Sequence, residues 1–276
     1  MLHITAIPAF SDNYFWLLTQ QPLVEHQPQT AYVIDPGDGE AVDRILSQYQ
    51  LNLAGILVTH RHPDHTGGIN FLTSRYKTSA SSPLPVYGPD SRSIPQITHR
   101  RHENDIVTLF DNYPLHVMAT PGHTPEHIVY YSETIQEVPV LFCGDTLFAG
   151  GCGRLLGGTA AQLHHSLRRL AALPDNTRVY CAHEYTLANL AFAQAVEPDN
   201  IAIRQRLSAI QKLRADNQSS IPFTLSEEYQ TNPFLRVHTD SVKKAITDYW
   251  QTIAGDETLN SAEFFAVLRK WKDQFQ

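Results

Sequence analysis

Cysteine is scarce in this chain: Cys143, Cys152 and Cys181 are the only three among 276 residues, and the number is odd. That excludes a disulfide-stapled secreted scaffold and predicts reduced thiols, with Cys143 and Cys181 buried on strands. Long apolar runs are missing too. No stretch reaches the ~18 residues of a membrane-spanning helix, and the opening MLHITAIPAF shows no basic leader followed by an apolar core. A cytoplasmic setting without a membrane partner is expected. Positive charge is also short, with 21 Lys and Arg against 28 Asp and Glu and a net charge of −7. Such a balance argues against a broad nucleic-acid surface, so any anionic ligand must meet cations gathered locally. Internal repeats and low-complexity segments are absent.

What is present is an ordinary globular composition, 42% hydrophobic and 18% charged, in a length suited to one large domain or two unequal ones. Residues 3–7, 14–18 and 31–34 read as strands rich in β-branched and aromatic types. Residues 40–49 read as an amphipathic helix, with Val42, Ile45 and Leu46 on one face. The apolar strand 55–58 runs into Thr59-His60-Arg61-His62, and a helix is expected from about Gly67. Further strands are expected at 106–109, 115–118, 128–131, 140–143 and 179–182. A helix is expected over 159–172, with Thr159 as its N-cap. From about Glu184 the pattern becomes helical, over 187–194, 198–215, 241–252 and 261–272, with no strand expected between. Residues 20–29 and 73–85 read as polar surface loops. The expected fold class is therefore α+β, a mixed domain over 1–185 followed by a small helical domain over 186–276.

Fourteen histidines are many for this length, and their placement carries the chemistry. His60 and His62 stand two apart at a strand end, so their rings point to one side. Pro63 breaks the strand, and Asp64 and His65 approach from a second direction, with Gly67 and Gly68 allowing close backbone approach. Three histidines and an aspartate buried together without a cation would be costly. Nitrogen and oxygen donors without sulfur suit zinc, iron or manganese. Downstream, His123, Asp145 and His183 each follow an apolar strand, where loops build sites over a rigid sheet. Seven ligands exceed one tetrahedral metal and suit two. His127 reads as supporting structure rather than as a ligand, and His99, His102, His164 and His165 receive no role.

The order His-x-His-x-Asp-His, then His123, Asp145 and His183, resembles the metallo-β-lactamase superfamily. The resemblance implies an αββα sandwich with two divalent metals, zinc first and iron or manganese as alternatives. His60, His62 and His123 would hold one metal, Asp64, His65 and His183 the other, and Asp145 would bridge them. Asp35 matches an acidic position near the site, and equally reads as a turn residue before Pro36.

Narrower motifs resemble glyoxalase II: Ser11-Asp12-Asn13-Tyr14, Gly144-Asp145-Thr146-Leu147-Phe148, Gly151-Cys152-Gly153-Arg154, His183-Glu184-Tyr185-Thr186, Asn232-Pro233-Phe234-Leu235-Arg236 and Lys272-Asp273-Gln274-Phe275. They run from one end of the chain to the other. The resemblance implies hydrolysis of S-D-lactoylglutathione to D-lactate and glutathione by a hydroxide shared between the metals, with Asp64 or Asp145 steering its proton. It also implies glutathione contacts by Arg154, Tyr185, Arg269 and Lys272. Arg269 and Lys272 share a helical face, and residues 264–276 are net positive by two in an acidic chain. Leu156 departs from the family, which often has tyrosine there, and one contact to glutathione is expected to be missing. The implied enzyme acts as a monomer on a small molecule. Another hydrolase of this fold (a lactonase or β-lactamase) is the alternative. A nuclease or a mononuclear iron dioxygenase stands further off.

Overall fold

The chain folds back on itself at once, as β1 (His3–Ala9) pairs antiparallel with β2 (Asn13–Thr19), from His3 opposite Thr19 to Ala9 opposite Asn13. Every residue of β2 is buried, so both faces of this strand are covered, which explains its unbroken apolar run. β3 (Thr30–Ile34) adds antiparallel to β2, and after α1 (Gly39–Gln48) the chain returns as β4 (Asn52–Leu57), parallel to β3. The Asp38 carboxylate starts α1 by accepting from the N–H groups of Glu40 and Ala41, at 2.9 and 3.1 Å. Two short helices, α2 (Pro63–Thr66) and α3 (Ile69–Arg75), precede a small ribbon of β5 (Lys77–Ser79) and β6 (Ser82–Pro83). β7 (Val86–Pro89) and β8 (His99–Arg101) then complete a six-stranded sheet in the order β1-β2-β3-β4-β7-β8. Ala41, Val42 and Leu46 of α1 and Ile69 and Leu72 of α3 join Phe15, Leu17, Val33 and Ile56 of that sheet in one buried cluster.

An antiparallel meander follows: β9 (Ile106–Leu109), β10 (Tyr113–Ala119), β11 (Ile128–Ser132) and β12 (Val140–Gly144). Tyr130 of β11 is fully buried and donates its hydroxyl to the Val58 carbonyl just past β4, at 2.9 Å. That bond fixes the meander to the end of β4 from which the histidine cluster emerges. These elements form one compact unit of this computed structural model, residues 1–119 with 126–144; residues 120–125 with 145–276 form a second. The structure describes residues 1–79, 82–254, 258–260 and 263–275.

In the second unit, β13 (Leu147–Phe148) and β14 (Gly151–Cys152) form a hairpin. α4 (Ala160–Leu170) opens on a reciprocal cap between Thr159 and Gln162. β15 (Arg178–Cys181) leads into α5 (Thr186–Val196) and α6 (Ile201–Ala215), the latter capped by Asn200. β16 (Phe223–Thr224) pairs antiparallel with β15. α7 (Leu225–Thr231), α8 (Asp240–Ala254) and α9 (Glu263–Gln274) complete the unit. Phe192 of α5 meets Phe234 and Trp271 at 6.0 and 5.4 Å between ring centres, and Phe234 meets Phe265 of α9 at 5.7 Å. This aromatic cluster supplies the apolar area that binds the helices together.

The structure adds elements where none were expected. β8 reads His-Arg-Arg because it is an edge strand, and Arg101 lies over the Tyr87 ring at 5.1 Å; cations are common at exposed edges. β16 is only two residues long and breaks the expected all-helical run after Glu184. Segment 73–85 contains the end of α3 and the β5–β6 ribbon, and its residues 80 and 81 lie outside the described residues. Residues 261 and 262 of the last expected helix lie outside them as well. All three cysteines are buried and outside any disulfide, Cys143 on β12 and Cys181 on β15.

Candidate functional site

In the first unit β4 ends at Leu57, and Thr59–His62 continue as irregular chain. His60 Nε2 and His62 Nδ1 lie 2.9 Å apart, so the two rings do turn to one side. Pro63 occupies the first turn of α2, where its missing N–H costs nothing. Asp64 and His65 therefore project from a helical turn that begins before the expected Gly67. His65 Nε2 lies 3.5 Å from Asp64 Oδ2, and Asn13 donates its amide to the same Asp64 oxygen at 3.1 Å.

Hydrogen bonds behind the rings fix which nitrogen carries the proton. The Asp35 carboxylate accepts from the Thr59 N–H and hydroxyl, both at 2.7 Å. With its proton given to Asp35, the Thr59 oxygen is an acceptor for His60 Nδ1, 3.1 Å away. The His60 imidazole is thereby held as its Nδ1–H tautomer with Nε2 left basic, an arrangement suited to a metal-binding histidine. His65 Nδ1 faces Asp35 Oδ2 at 3.1 Å. Asp35 is thus both the turn residue and the orienting carboxylate that the sequence left undecided. His127 stacks on the His60 ring at 4.8 Å, which restrains the ring. Arg61, between the two histidines, pairs with Glu126 at 2.7 Å.

Close backbone approach is enforced by Gly37 and Gly68. A Cβ on Gly37 would lie 1.9 Å from the Asp64 carbonyl oxygen, and one on Gly68 would lie 2.6 Å from the Pro36 carbonyl oxygen. Gly37→Ala must push the Asp35 loop away from α2, and we expect a loss of about 3 kcal/mol in urea unfolding. A loss below about 1 kcal/mol would show that the loop has room.

The second unit brings its three candidates together. Asp145, 7% exposed, stands between two buried histidines, with His123 Nε2 3.4 Å from Oδ2 and His183 Nε2 3.4 Å from Oδ1. His123 Nδ1 lies 2.8 Å from the Arg154 carbonyl; a carbonyl only accepts, so this ring too is protonated at Nδ1 and basic at Nε2. Tyr185 stacks on His183 at 4.8 Å and 4° and is itself 38% exposed. His60 with His62, Asp64 with His65, and His123 with Asp145 each place ligand atoms within 4.8 Å of one another. Neutral imidazoles beside carboxylates, with basic nitrogens turned inward, fit a divalent cation.

The candidate anion-binding residues differ in availability. Arg154 is 72% exposed, with Nε 3.8 Å from Asp273. Lys272 is half-buried, donates to the Ala188 carbonyl at 3.0 Å, and lies over the Phe192 and Phe275 rings. Burial first, then Arg269 and Arg154, lower its ammonium pKa to about 8. Arg269 is only 3% exposed: its guanidinium donates to the Cys152 carbonyl at 2.9 Å and to Asp273 at 3.0 Å, over the Phe234 ring. Leu156 is exposed and has no polar atom to offer a ligand. Sequence reasoning missed the support beneath this region. Glu228, Asn232 and Asn189 bind the β13–β14 turn at Gly150 N, Gly151 O and Ala149 O. Asn232 lay within a quoted motif, but nothing marked Glu228.

Comparison with known proteins now decides the family. Residues 23–183 match the metallo-beta-lactamase superfamily model, and residues 184–275 match the model for the hydroxyacylglutathione hydrolase C-terminus. A hydroxyacylglutathione hydrolase of Shewanella oneidensis is 47% identical over 287 residues, covering all of both chains. The chain belongs to the hydroxyacylglutathione hydrolase family. Its fold is the αββα metallo-β-lactamase sandwich with a helical C-terminal region. Among solved structures, the BLEG-1 B3 metallo-beta-lactamase aligns at TM-score 0.60 and 23% identity, over 84% of this chain and 99% of that one. TTHA1623, crystallised in a di-iron-bound form, aligns at 0.54 and 26%, over 84% and 100%. No helix among the described residues is long and apolar enough to cross a membrane.

Proposed function

We propose that the chain hydrolyses the thioester of S-D-lactoylglutathione to D-lactate and glutathione. Residues 1–185 form the catalytic domain and 186–276 the substrate-binding domain in this reading. It acts as a monomer on a dissolved small molecule in the cytoplasm, without nucleic acid or membrane. The observation that carries it is the cation group of the second unit: Lys272 is half-buried over two aromatic rings, and Arg269 and Arg154 add to the burial that lowers its ammonium pKa, in the unit that also holds His123, Asp145 and His183. A glutathione thioester carries two carboxylates, and cations desolvated on aromatic rings suit them. The hydroxyacylglutathione hydrolase name of relatives 47% identical over the whole chain supports the same substrate.

His60, His62 and His123 would hold one divalent cation and Asp64, His65 and His183 a second, with Asp145 shared. Zinc is the first choice, and iron or manganese the alternatives. When bound, such a pair lowers the pKa of water toward ~7 and stabilises charge that develops on the carbonyl oxygen. The protein's own part is proton traffic and placement. Asp64, steadied by Asn13, or Asp145 accepts the proton of the attacking water. The new carbon–oxygen bond forms as the carbon–sulfur bond breaks, and the thiolate leaves without a general acid because it is a weak base. Tyr185 keeps the His183 ring in plane and offers an exposed hydroxyl toward the peptide backbone of glutathione. Arg154 and Lys272 bind its carboxylates, and Arg269 anchors the Cys152 carbonyl beside them.

Steady-state hydrolysis of S-D-lactoylglutathione, a β-lactam and a lactone by the purified enzyme tests the substrate. Turnover of the thioester alone is expected, and turnover of only the other two would overturn the assignment. Lys272 adds a pH signature. Its ammonium pKa lies near 8, so charge is lost as pH climbs through that value, and KM should rise while kcat holds. Lys272→Gln should start with KM about tenfold higher and lose this dependence. A KM that stays flat from pH 7 to 9 in the native enzyme would remove Lys272 from the binding site.

A further inference from the structure

The second unit contains a cavity of about 390 Å³ that the proposed reaction does not use. His164 and Arg168 of α4, His238 ahead of α8, and Lys243 of α8 contribute nitrogen to its wall, and no carboxylate among the described residues lines it. In a chain of net charge −7, four basic side chains without an acid among them are a local reversal of sign. Among the described residues, Arg168, His238 and Lys243 have no carboxylate partner. The remaining wall is apolar: Ala171, Leu235 and Phe264 are partly exposed, and Leu167 and Phe234 are buried. His164 is held in place by stacking on Phe265, with ring centres 4.8 Å apart and planes 10° apart.

We propose that this cavity binds a small organic anion with an apolar body, a medium-chain monocarboxylate. The charged end belongs at Arg168 and Lys243, one a planar fork and the other a mobile point charge, both without a carboxylate partner among the described residues. The apolar body belongs against the partly exposed Ala171, Leu235 and Phe264, where it removes hydrocarbon surface from water. Inorganic phosphate would meet the cations but leave the apolar wall unused. A neutral alcohol would do the reverse. None of the four basic residues belongs to the Arg154, Arg269 and Lys272 group, so the two sites separate by mutation.

Calorimetric titration of the full chain with octanoate, octanol and inorganic phosphate tests this. Octanoate should saturate a single site, bind more weakly as salt rises, and lose about tenfold or more in affinity in the Arg168→Gln/Lys243→Gln variant. Octanol and phosphate should each bind at least about tenfold more weakly than octanoate. The variant changes surface charge only and should keep the native circular dichroism spectrum and thioesterase rate. Absence of saturable octanoate binding would overturn the proposal. Equal binding of octanol or phosphate would do so too, as would unchanged octanoate affinity in the variant.

Discussion

Asp145→Ala is expected to lower thioester hydrolysis on the order of a thousandfold and to reduce the bound metal. Its carboxylate is buried between His123 and His183, with one oxygen toward each ring. Removing it leaves two basic nitrogens facing each other without the anion that balances a cation held there. Asp145 follows β12, a strand buried at every residue, so the main chain at this point is fixed and no neighbour can slide into the gap. The variant should keep its circular dichroism spectrum, because the loss falls on the site and not on the core. Asp145→Asn retains the shape and one acceptor oxygen but not the charge. It should recover little activity if charge is what matters.

The second large effect falls on stability. Glu228 on α7 is 0% exposed, and its carboxylate accepts from Arg206 at 2.6 Å, Asn232 at 2.7 Å and the Gly150 N–H at 2.9 Å. Glu228→Ala removes the carboxylate that balances the Arg206 guanidinium and accepts from the Gly150 N–H, leaving Arg206 only Thr231 and Asn232 only backbone carbonyls as acceptors. Breaking a buried pair from one side costs about 3–5 kcal/mol, so urea unfolding should shift by that amount. Glu228→Gln keeps the volume and part of the bonding and should lose less. A change under about 1 kcal/mol in the alanine variant would mean that water reaches the three donors. Because Gly150 lies in the turn between Asp145 and Arg154, KM should worsen in the folded fraction as well.

How far the sequence could be read depends on what kind of physics each residue obeys. His60, His62, Asp64 and His65 stood out because so many nitrogen and oxygen donors within six positions suit a metal, and the fold buries His60 and His65 while leaving His62 and Asp64 partly exposed. The strands that precede Asp145 and His183 were legible because a strand buried on both faces must be apolar, while β10, before His123, was legible from its buried Leu115 and Val117. β8 was not, because an edge strand is free to be basic. Arg269 shows a different limit. Helical spacing placed it on one face with Lys272, but spacing says nothing of what covers that face, and the guanidinium lies under the Cys152 carbonyl. Glu228 was invisible for the same reason, as two of its three partners come from positions 150 and 206, which no local pattern connects to it. The Nδ1–H tautomers of His60 and His123 likewise rest on Thr59 and the Arg154 carbonyl, contacts made only by folding.

Metal reconstitution tests the central claim most directly. Protein stripped by a chelator should lose hydrolysis of S-D-lactoylglutathione, and zinc or iron added back should restore it as occupancy approaches two ions per chain. Full activity in metal-free protein, or at one ion per chain, would contradict a reaction centre built from seven ligands around a cation pair.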